Sequence, residues 1–357
     1  MSKKALIAMS GGVDSSVAAY LLHRQGFDCT GITMKLFANE DIGISREKSC
    51  CSLEDVQDAR NAAETMGIPF YVNNFIDDFK QQVIGRFVQA YQNGATPNPC
   101  IDCNRYVKFE KLFNRAQQLD MDYIATGHYA RIEYNSETGR YLLRKGVDEV
   151  KDQSYFLYAM TQQQLAHSLF PLGTLNKTQV REIAKEQGFV NADKQESQDI
   201  CFVRDGSYAS FIEQYTGKTY ESGNFTDLQG NNLGRHKGII HYTIGQRRGL
   251  AIALNKPVYV HSINVIDNTV IICEDKDLLC KTLEAADFNW ISCNTISGPI
   301  RVKAKIRYNQ KEQWATAEQT SPDTVRIEFD EPQRAIAKGQ AAVLYDGDVV
   351  VGGGTIK

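Results

Sequence analysis

Three stretches of this chain combine residue types at spacings that suit chemistry. The first is Ser10-Gly11-Gly12-Val13-Asp14-Ser15-Ser16. It follows an apolar run at 5–9 and opens an apolar-periodic segment at 17–22, an order that predicts strand, tight glycine turn and helix start. Adjacent glycines let the main chain approach a ligand closely. The unpaired N–H groups and partial positive charge of a helix start suit phosphate. No Gly-Lys-Ser/Thr follows and no Gly-x-Gly-x-x-Gly is present, which sets the loop apart from two other phosphate-binding patterns. The second stretch is Thr96-Pro97-Asn98-Pro99-Cys100-Ile101-Asp102-Cys103-Asn104. Two prolines stiffen the approach to a C-x-x-C pair. Arg105 and Lys108 follow, and positive charge is expected to lower thiol pKa and favour the thiolate. In the third stretch, Glu196-Ser197-Gln198-Asp199-Ile200-Cys201-Phe202, a cysteine closes a polar run. The residues alone leave three alternatives for these thiols: small buried hydrophobes, a zinc half-site or redox pair, or catalytic nucleophiles.

The elements that must hold these residues alternate. Runs at 5–9, 28–34, 70–73 and 123–126 read as strands, and 15–25, 53–66, 77–93 and 109–119 read as helices. That alternation predicts a parallel sheet with helices on both faces. The segment 38–51 has no period and reads as a mobile loop, and Cys50-Cys51 before a Ser52 N-cap read as structural. A capped helix is predicted over 177–188, ending at Gly188. The pattern weakens through 205–234, apart from a helical stretch at 208–215. From about residue 267 the chain turns to strand-length runs at 301–308, 313–318, 324–329 and 341–351, which predicts a small antiparallel β-domain, a barrel. The predicted division is 1–205, 206–272 and 273–357.

Composition sets the class. A chain of 357 residues with 42% hydrophobic and 23% charged residues is long enough for two or three soluble domains. No apolar run approaches a membrane span, and Lys3-Lys4 with five apolar residues does not make a signal peptide, so a cytoplasmic protein with no membrane partner is expected. Nine cysteines in that setting read as thiols rather than a disulfide framework. Cys29, Cys273, Cys280 and Cys293 are expected to pack, and His23, His167, His236, His241 and His261 show no metal-ligand spacing. A net charge of −3 gives no support for a nucleic-acid partner, but local basic patches such as Arg247-Arg248 between Gly245 and Gly249 can supply one.

The loop Ser-Gly-Gly-x-Asp-Ser resembles the pyrophosphate loop of the ATP-pyrophosphatase superfamily, whose members split ATP between the α and β phosphates and adenylate a carbonyl oxygen. Further motifs follow it in chain order: Asn98-Pro99-x-x-x-Cys103-Asn104, Thr126-Gly127-His128-Tyr129-Ala130-Arg131, Lys151-Asp152-Gln153-Ser154-Tyr155, Ser197-Gln198-Asp199-Ile200-Cys201 and Gly245-Gln246-Arg247-Arg248-Gly249-Leu250. The set resembles the bacterial tRNA-specific 2-thiouridylases over almost the whole chain. The loop alone also fits asparagine synthetases, GMP synthetases and lysidine synthases; the paired cysteines and the Asp-Gln-Ser-Tyr block narrow the match.

The resemblance implies an α/β N-terminal domain with a parallel sheet of the adenine nucleotide hydrolase-like kind, a small central domain and a C-terminal antiparallel β-barrel. It implies ATP-dependent 2-thiolation of the wobble uridine of tRNA. ATP, with Mg²⁺, is expected along Ala8, Met9, Ser10, Gly11, Gly12, Val13, Asp14 and Ser15, with Met34 and Gly127 near the nucleotide. Cys201 is expected to carry a persulfide and Cys103 to be the partner nucleophile. The target base is expected by Asn98, Pro99 and Cys100, with His128 close to the tRNA. Lys151, Asp152, Gln153, Arg307 and Tyr308 resemble tRNA-contact segments, and Gln340 a further contact. No resident protein-held metal is expected. The implied partners are a tRNA anticodon stem-loop and a persulfide donor protein such as a cysteine desulfurase or sulfur relay protein. Some family members carry an acidic residue where this chain has Cys100, so that acid–base role is absent here or moved to Asp102. Three rival classes stand beside this one: an iron–sulfur thiolase using Cys100, Cys103 and Cys201, an amide-forming synthetase, and a tRNA-binding module without catalysis.

Overall fold

The structure is a computed structural model and describes residues 2–37, 53–194, 200–203, 207–252 and 254–357. The expected loop at 38–51, Cys50-Cys51, the Ser52 cap and Ser197-Gln198-Asp199 lie outside the described residues.

The first apolar run forms β1 (Lys4–Ala8), buried on both faces through Ala5, Leu6 and Ile7. Such a strand belongs inside a parallel sheet. β1, β2 (Asp28–Lys35), β3 (Phe70–Asn74) and β4 (Tyr123–Ala125) are parallel neighbours. A hairpin of β5 (Ala130–Asn135) and β6 (Arg140–Lys145) follows, and β7 (Ser168–Leu169) returns beside β4. The sheet order is β3-β2-β1-β4-β7. Side-chain alternation along β1 splits the core in two. Ala5 and Ile7 pack with Val17 of α1 (Val13–Arg24), Ala59 and Ala63 of α2 (Leu53–Met66) and Val180. Leu6 faces the other way, toward Phe79, Phe87, Phe109 and Phe202. The strand order reverses at β1, so the crevice beyond the carboxyl ends of β1 and β4 is the switch point where open α/β sheets take ligands.

Two helical stretches depart from the sequence expectation. The helix expected at 109–119 begins ten residues earlier, α-helical at Pro99–Asp102, π-helical at Cys103–Lys111 and α-helical again at Leu112–Gln118. Its start is chemical: Asn98 caps the Cys100 N–H at 3.2 Å and Pro99 takes the first helical position, where no N–H is required. A second π-helical turn, Lys80–Ile84, interrupts the helical stretch at 76–92.

The middle of the chain holds the helix Tyr208–Thr216 and a four-stranded sheet of β8 (Asn224–Thr226), β9 (Asn232–Arg235), β10 (Tyr259–Asn264) and β11 (Thr269–Cys273). The C-terminal strands are β12 (Leu279–Trp290), β13 (Ile300–Lys305), β14 (Gln313–Ser321), β15 (Thr324–Arg334), β16 (Ala341–Asp346) and β17 (Val349–Ile356). They run β12-β15-β14-β13-β16-β17, and pairing of β12 with β17 closes an antiparallel barrel. Its interior is a period-two set including Val302, Ala304, Ala315, Ala317, Val325, Ile327 and Phe329. The single run expected at 341–351 is two strands, turned at Gly347. The unforeseen β5–β6 hairpin joins this barrel by one pairing, Val349 with Arg144. Cys29 and Cys273 are buried as expected, whereas Cys280 is exposed at the barrel edge. No helix of the described residues is long and apolar enough to cross a membrane.

Candidate active site

The Ser-Gly-Gly loop leaves the carboxyl end of β1 and runs into α1 with Gly12 as N-cap. It is braced from within and from outside. Ser15 Oγ accepts the Ser10 N–H at 3.1 Å and donates to the Gly12 carbonyl at 2.9 Å. Asn191 Nδ2 donates to the Gly11 carbonyl at 2.9 Å and to Ser16 Oγ at 3.0 Å, and Thr33 Oγ1 donates to the Met9 carbonyl at 2.6 Å. Two glycines are required by close approach. Gly11 has φ +79°, and a Cβ there would lie 2.2 Å from the Asp55 carbonyl oxygen. A Cβ on Gly127, just past β4, would lie 2.8 Å from the Asp14 carbonyl carbon. Of the residues expected along ATP, Ser10 is exposed and Ala8, Gly12, Asp14, Met34 and Gly127 are partly exposed, while Met9, Gly11, Val13 and Ser15 are buried. The side chains of Met9 and Val13 therefore support the loop from the core.

Asp14 faces the crevice but is already engaged. Its Oδ1 accepts from Tyr129 Oη at 2.7 Å and from Lys177 Nζ at 2.8 Å, and its Oδ2 accepts from Lys177 Nζ at 2.9 Å.

The cysteine helix stands against the same crevice. His128, next to Gly127, places its ring 5.9 Å from Phe109 of that helix and 5.7 Å from Phe170, and its Nδ1 meets Thr126 Oγ1 at 2.6 Å. Cys103 is half-buried and packs at the edge of the core that holds Phe79, Phe87 and Phe202. Cys201 is exposed, and the residue after it is its anchor: Phe202 makes edge contacts with Phe79 at 5.8 Å and Phe87 at 5.3 Å. Both cysteine elements thus border one core. Cys100 is exposed.

The expected lowering of thiol pKa is not what the structure gives. Burial pushes the Cys103 thiol up to about 11 and raises that of Cys100, with only Lys108 pulling each back. Arg105, expected to help, is turned away into an ion pair with Asp287 of β12. Solvent reaches both residues, but the protein around them still outweighs one ammonium group. Asp102, between the thiols, is pushed up to about 6 by burial, against the pull of Arg86, 3.5 Å away, and of Arg105.

The residues expected to meet tRNA divide into outward and supporting sets. Asn98, Lys151, Gln153, Arg307, Tyr308 and Gln340 are partly exposed, and Cys100 is fully so. Pro99, His128 and Asp152 are buried. Burial holds the His128 imidazole well below its ordinary pKa, so it is neutral beneath the surface. The Asp152 carboxylate is consumed locally, accepting from the Gly146 N–H at 3.0 Å, the Ser154 N–H at 3.1 Å and Ser154 Oγ at 2.8 Å. Gln340 reaches from the barrel to the cysteine loop, its Nε2 donating to the Thr96 carbonyl at 2.8 Å. Tyr308 lies against Phe156 with centroids 4.4 Å apart and the rings tilted by 39°, and Arg307 donates to the Ala335 carbonyl. Arg247 and Arg248 are exposed, and a Cβ on their neighbour Gly245 would lie 3.6 Å from Arg334 Nη1 and 3.8 Å from Arg307 Nη2.

Several residues at the site carried no local sequence signal. Tyr129 sits inside a quoted motif, but Lys177 grips Asp14 across 163 residues and Asn191 reaches Gly11 across 180. Lys194 ties the approach to Cys201 onto α2 through Asp55 and Asp58, at 2.6 Å each. A lysine at a helix start or an asparagine after a helix is unremarkable in sequence; only the fold gives it a partner.

Residues 3–205 match the family described as tRNA methyl transferase HUP domain, 209–274 the tRNA methyl transferase PRC-barrel domain and 280–356 the aminomethyltransferase beta-barrel domain. The chain is 53% identical over 357 residues to the tRNA-specific 2-thiouridylase MnmA of Clostridioides difficile, covering 100% of this chain and 99% of that protein. It is 51% identical to the protein of the same name from Clostridium acetobutylicum, covering 100% of each. It is also 51% identical to that of Acetivibrio thermocellus, covering 99% of each.

Proposed function

As the chain belongs to the tRNA-specific 2-thiouridylase family, we propose that it uses ATP to replace the C2 oxygen of the wobble uridine of a tRNA anticodon with sulfur. The observation that carries this is the span from loop to thiol. Gly127 touches the backbone of Asp14, and its neighbour His128 packs on the helix that carries Cys100 and Cys103. A phosphate-type loop and a thiol helix therefore face one switch-point crevice. On this reading the three working units are 1–205, 206–272 and 273–357.

The chemistry has a physical order. The C2 oxygen is a poor leaving group. Its attack on the α-phosphate of ATP forms a C2–O–P bond and releases pyrophosphate, and AMP can then leave. Loop N–H groups and the start of α1 are aimed where pyrophosphate charge develops. Among the described residues no group of three or more His, Cys, Asp or Glu is arranged around a metal site. A single carboxylate suits Mg²⁺ that arrives with phosphate oxygens, and Asp14 fits that role. When bound, Mg²⁺ would supply charge neutralisation at the phosphates. Cys201 carries a terminal sulfur delivered by a persulfide donor protein. That sulfur attacks C2 and AMP departs with the oxygen. The Cys103 thiolate then attacks the Cys201 sulfur and breaks the S–S bond. The thiocarbonyl stays on the base and a Cys103–Cys201 disulfide is left for an external dithiol to reduce. The base must leave its stack to enter.

The test is mass spectrometry of nucleosides from tRNA incubated with the protein, ATP, Mg²⁺ and a sulfide source. The expected product is a uridine heavier by the difference between sulfur and oxygen. A methylene increment instead, or no ATP dependence, would overturn the reading. Product formation with colour lost alongside Cys100→Ser in anaerobic protein would favour an iron–sulfur route.

A further inference from the structure

The Asp14 carboxylate is held by two residues that belong to neither the loop nor α1, and each is tied to the segment 148–153. Lys177 is the first residue of the helix Lys177–Glu186, seated by a capping box of Asn176 and Gln179. Its ammonium group grips both Asp14 oxygens, and only 12% of its side chain is exposed. Its backbone N–H donates to Asp148 Oδ2 at 3.0 Å. The other oxygen of Asp148 accepts the N–H groups of Val150 at 3.1 Å and Lys151 at 3.2 Å. Tyr129 gives Asp14 its second donor. Its backbone is clamped by Gln153, whose Oε1 accepts the Tyr129 N–H at 3.1 Å and whose own N–H donates to the Tyr129 carbonyl at 2.9 Å. Two short routes therefore join one segment to one carboxylate: Lys151 to Asp148 to Lys177 to Asp14, and Gln153 to Tyr129 to Asp14.

We propose that Lys177 and Tyr129 are positioning residues that set Asp14, and that tRNA seated on Lys151 and Gln153 acts through Asp148 and Gln153 to release that carboxylate for ATP cleavage. This rests on the reading above that 151–153 meets tRNA. The physical logic is a difference between two states. With the segment unloaded, the Lys177 ammonium neutralises Asp14 and keeps it from a cation. A shift of Asp148 moves the first turn of the Lys177 helix, and a shift of Gln153 moves Tyr129, so both donors change together. The consequence is ATP turnover that waits for its acceptor, which spares ATP from hydrolysis when no tRNA is present.

The experiment measures coupling rather than activity alone. Affinity for tRNA is measured with and without an ATP analogue that cannot be cleaved between the α and β phosphates, and pyrophosphate release from ATP is measured with and without tRNA. The wild-type protein should show a coupling factor in the range of roughly 5- to 150-fold. Asp148→Asn keeps an acceptor for Val150 and Lys151 but replaces the oxygen facing Lys177. It should bring the coupling factor close to one while leaving tRNA-free pyrophosphate release near the wild-type rate. Tyr129→Phe cuts the other route and should lower the coupling independently, so a folding defect in one variant, read from its thermal melt, leaves the other to decide. Lys177→Met removes the ammonium that holds Asp14 and should raise tRNA-free pyrophosphate release toward the tRNA-stimulated rate, and Lys177→Arg should restore part of the dependence on tRNA. Wild-type coupling in both Asp148→Asn and Tyr129→Phe, or an equal loss with and without tRNA, would overturn the proposal. If tRNA binding is indifferent to Lys151→Ala, the tRNA reading of the segment falls first and takes the proposal with it. If Lys151→Ala weakens tRNA binding while Asp148→Asn and Tyr129→Phe both keep their coupling, only the proposal falls.

Discussion

Cys103 shows how burial and charge compete at a single thiol. Thiolate is the nucleophile in exchange, and burial holds this thiol near 11 although Lys108 opposes it. Transfer from sulfur-loaded protein should therefore quicken about tenfold per pH unit through the neutral range, levelling only near that value. Cys103→Ser should still load sulfur on Cys201 but not release it, and Cys201→Ser should not load at all. Single-turnover transfer with labelled sulfur reads both, and label on Cys103 but never on Cys201 would exchange the two roles. Asp102 offers a second measurement beside it. Its folded pKa, about 6, lies above the ordinary carboxylate value of 3.8. The native state thus binds a proton that the unfolded chain has already released. Stability from this group is fully present below pH ~4 and is lost as pH rises through ~6. Asp102→Asn should flatten that part of the stability curve and raise neutral-pH stability by about 1–3 kcal/mol. Urea unfolding across the window checks it, and an unchanged slope would mean that Arg86 holds the carboxylate ionised.

At the level of elements, the site is made by two backbones pressed together, the start of α1 and the turn after β4. Gly127→Ala would put a methyl group 2.8 Å from the Asp14 carbonyl carbon. Neither side can yield as a flexible side chain would. Overpacking of this kind costs about 1–3 kcal/mol, and a displacement near 1 Å can lower rate about 10²-fold. Pyrophosphate release should fall far more than thermal stability, and an equal loss in both would make Gly127 a packing residue only. The legibility of these elements followed their locality. The loop, α1, α2 and the parallel strands rest on short-range period and glycine chemistry, and they stand within a residue or two of where the pattern puts them. The early start of the cysteine helix is also local, written in Asn98-Pro99 as cap and first residue, where the two prolines alone read as a stiff approach. β12 was not legible, because its partners β15 and β17 are far away in sequence; the β5–β6 hairpin is local, Asn135 pairing with Arg140 across its turn, and its turn residues went unread. Lys177 and Asn191 were invisible because they act through hydrogen bonds that only the tertiary fold supplies.

Across the whole molecule, the barrel and the middle of the chain gather positive charge in a chain whose formal charge is −3. Arg307 and Arg334 lie beside the turn that carries Arg247 and Arg248, and Lys305 stands 5.3 Å from the Tyr308 ring centre. Burial lowers the pKa of Lys305 and of Arg307, the sign of cations held partly out of water and ready to gain from a phosphate. Gln340 meanwhile ties the barrel to the cysteine loop, so the barrel steadies the site as well as enlarging its surface. Phosphate contact releases counterions, and affinity for tRNA should fall linearly on a log–log plot against salt. Lys151→Ala and Arg307→Ala should each weaken binding and reduce that slope by about one, without altering affinity for ATP. Arg326, exposed on the barrel and paired with Glu328 at 3.5 Å, provides the contrast. Arg326→Ala removes the same formal charge from a face with no expected tRNA contact, and it should leave the slope as it was. Were all three variants to shift the slope equally, the attraction would be a property of net charge and not of a built surface. A flat salt dependence in the unaltered protein would remove tRNA phosphate from the account altogether.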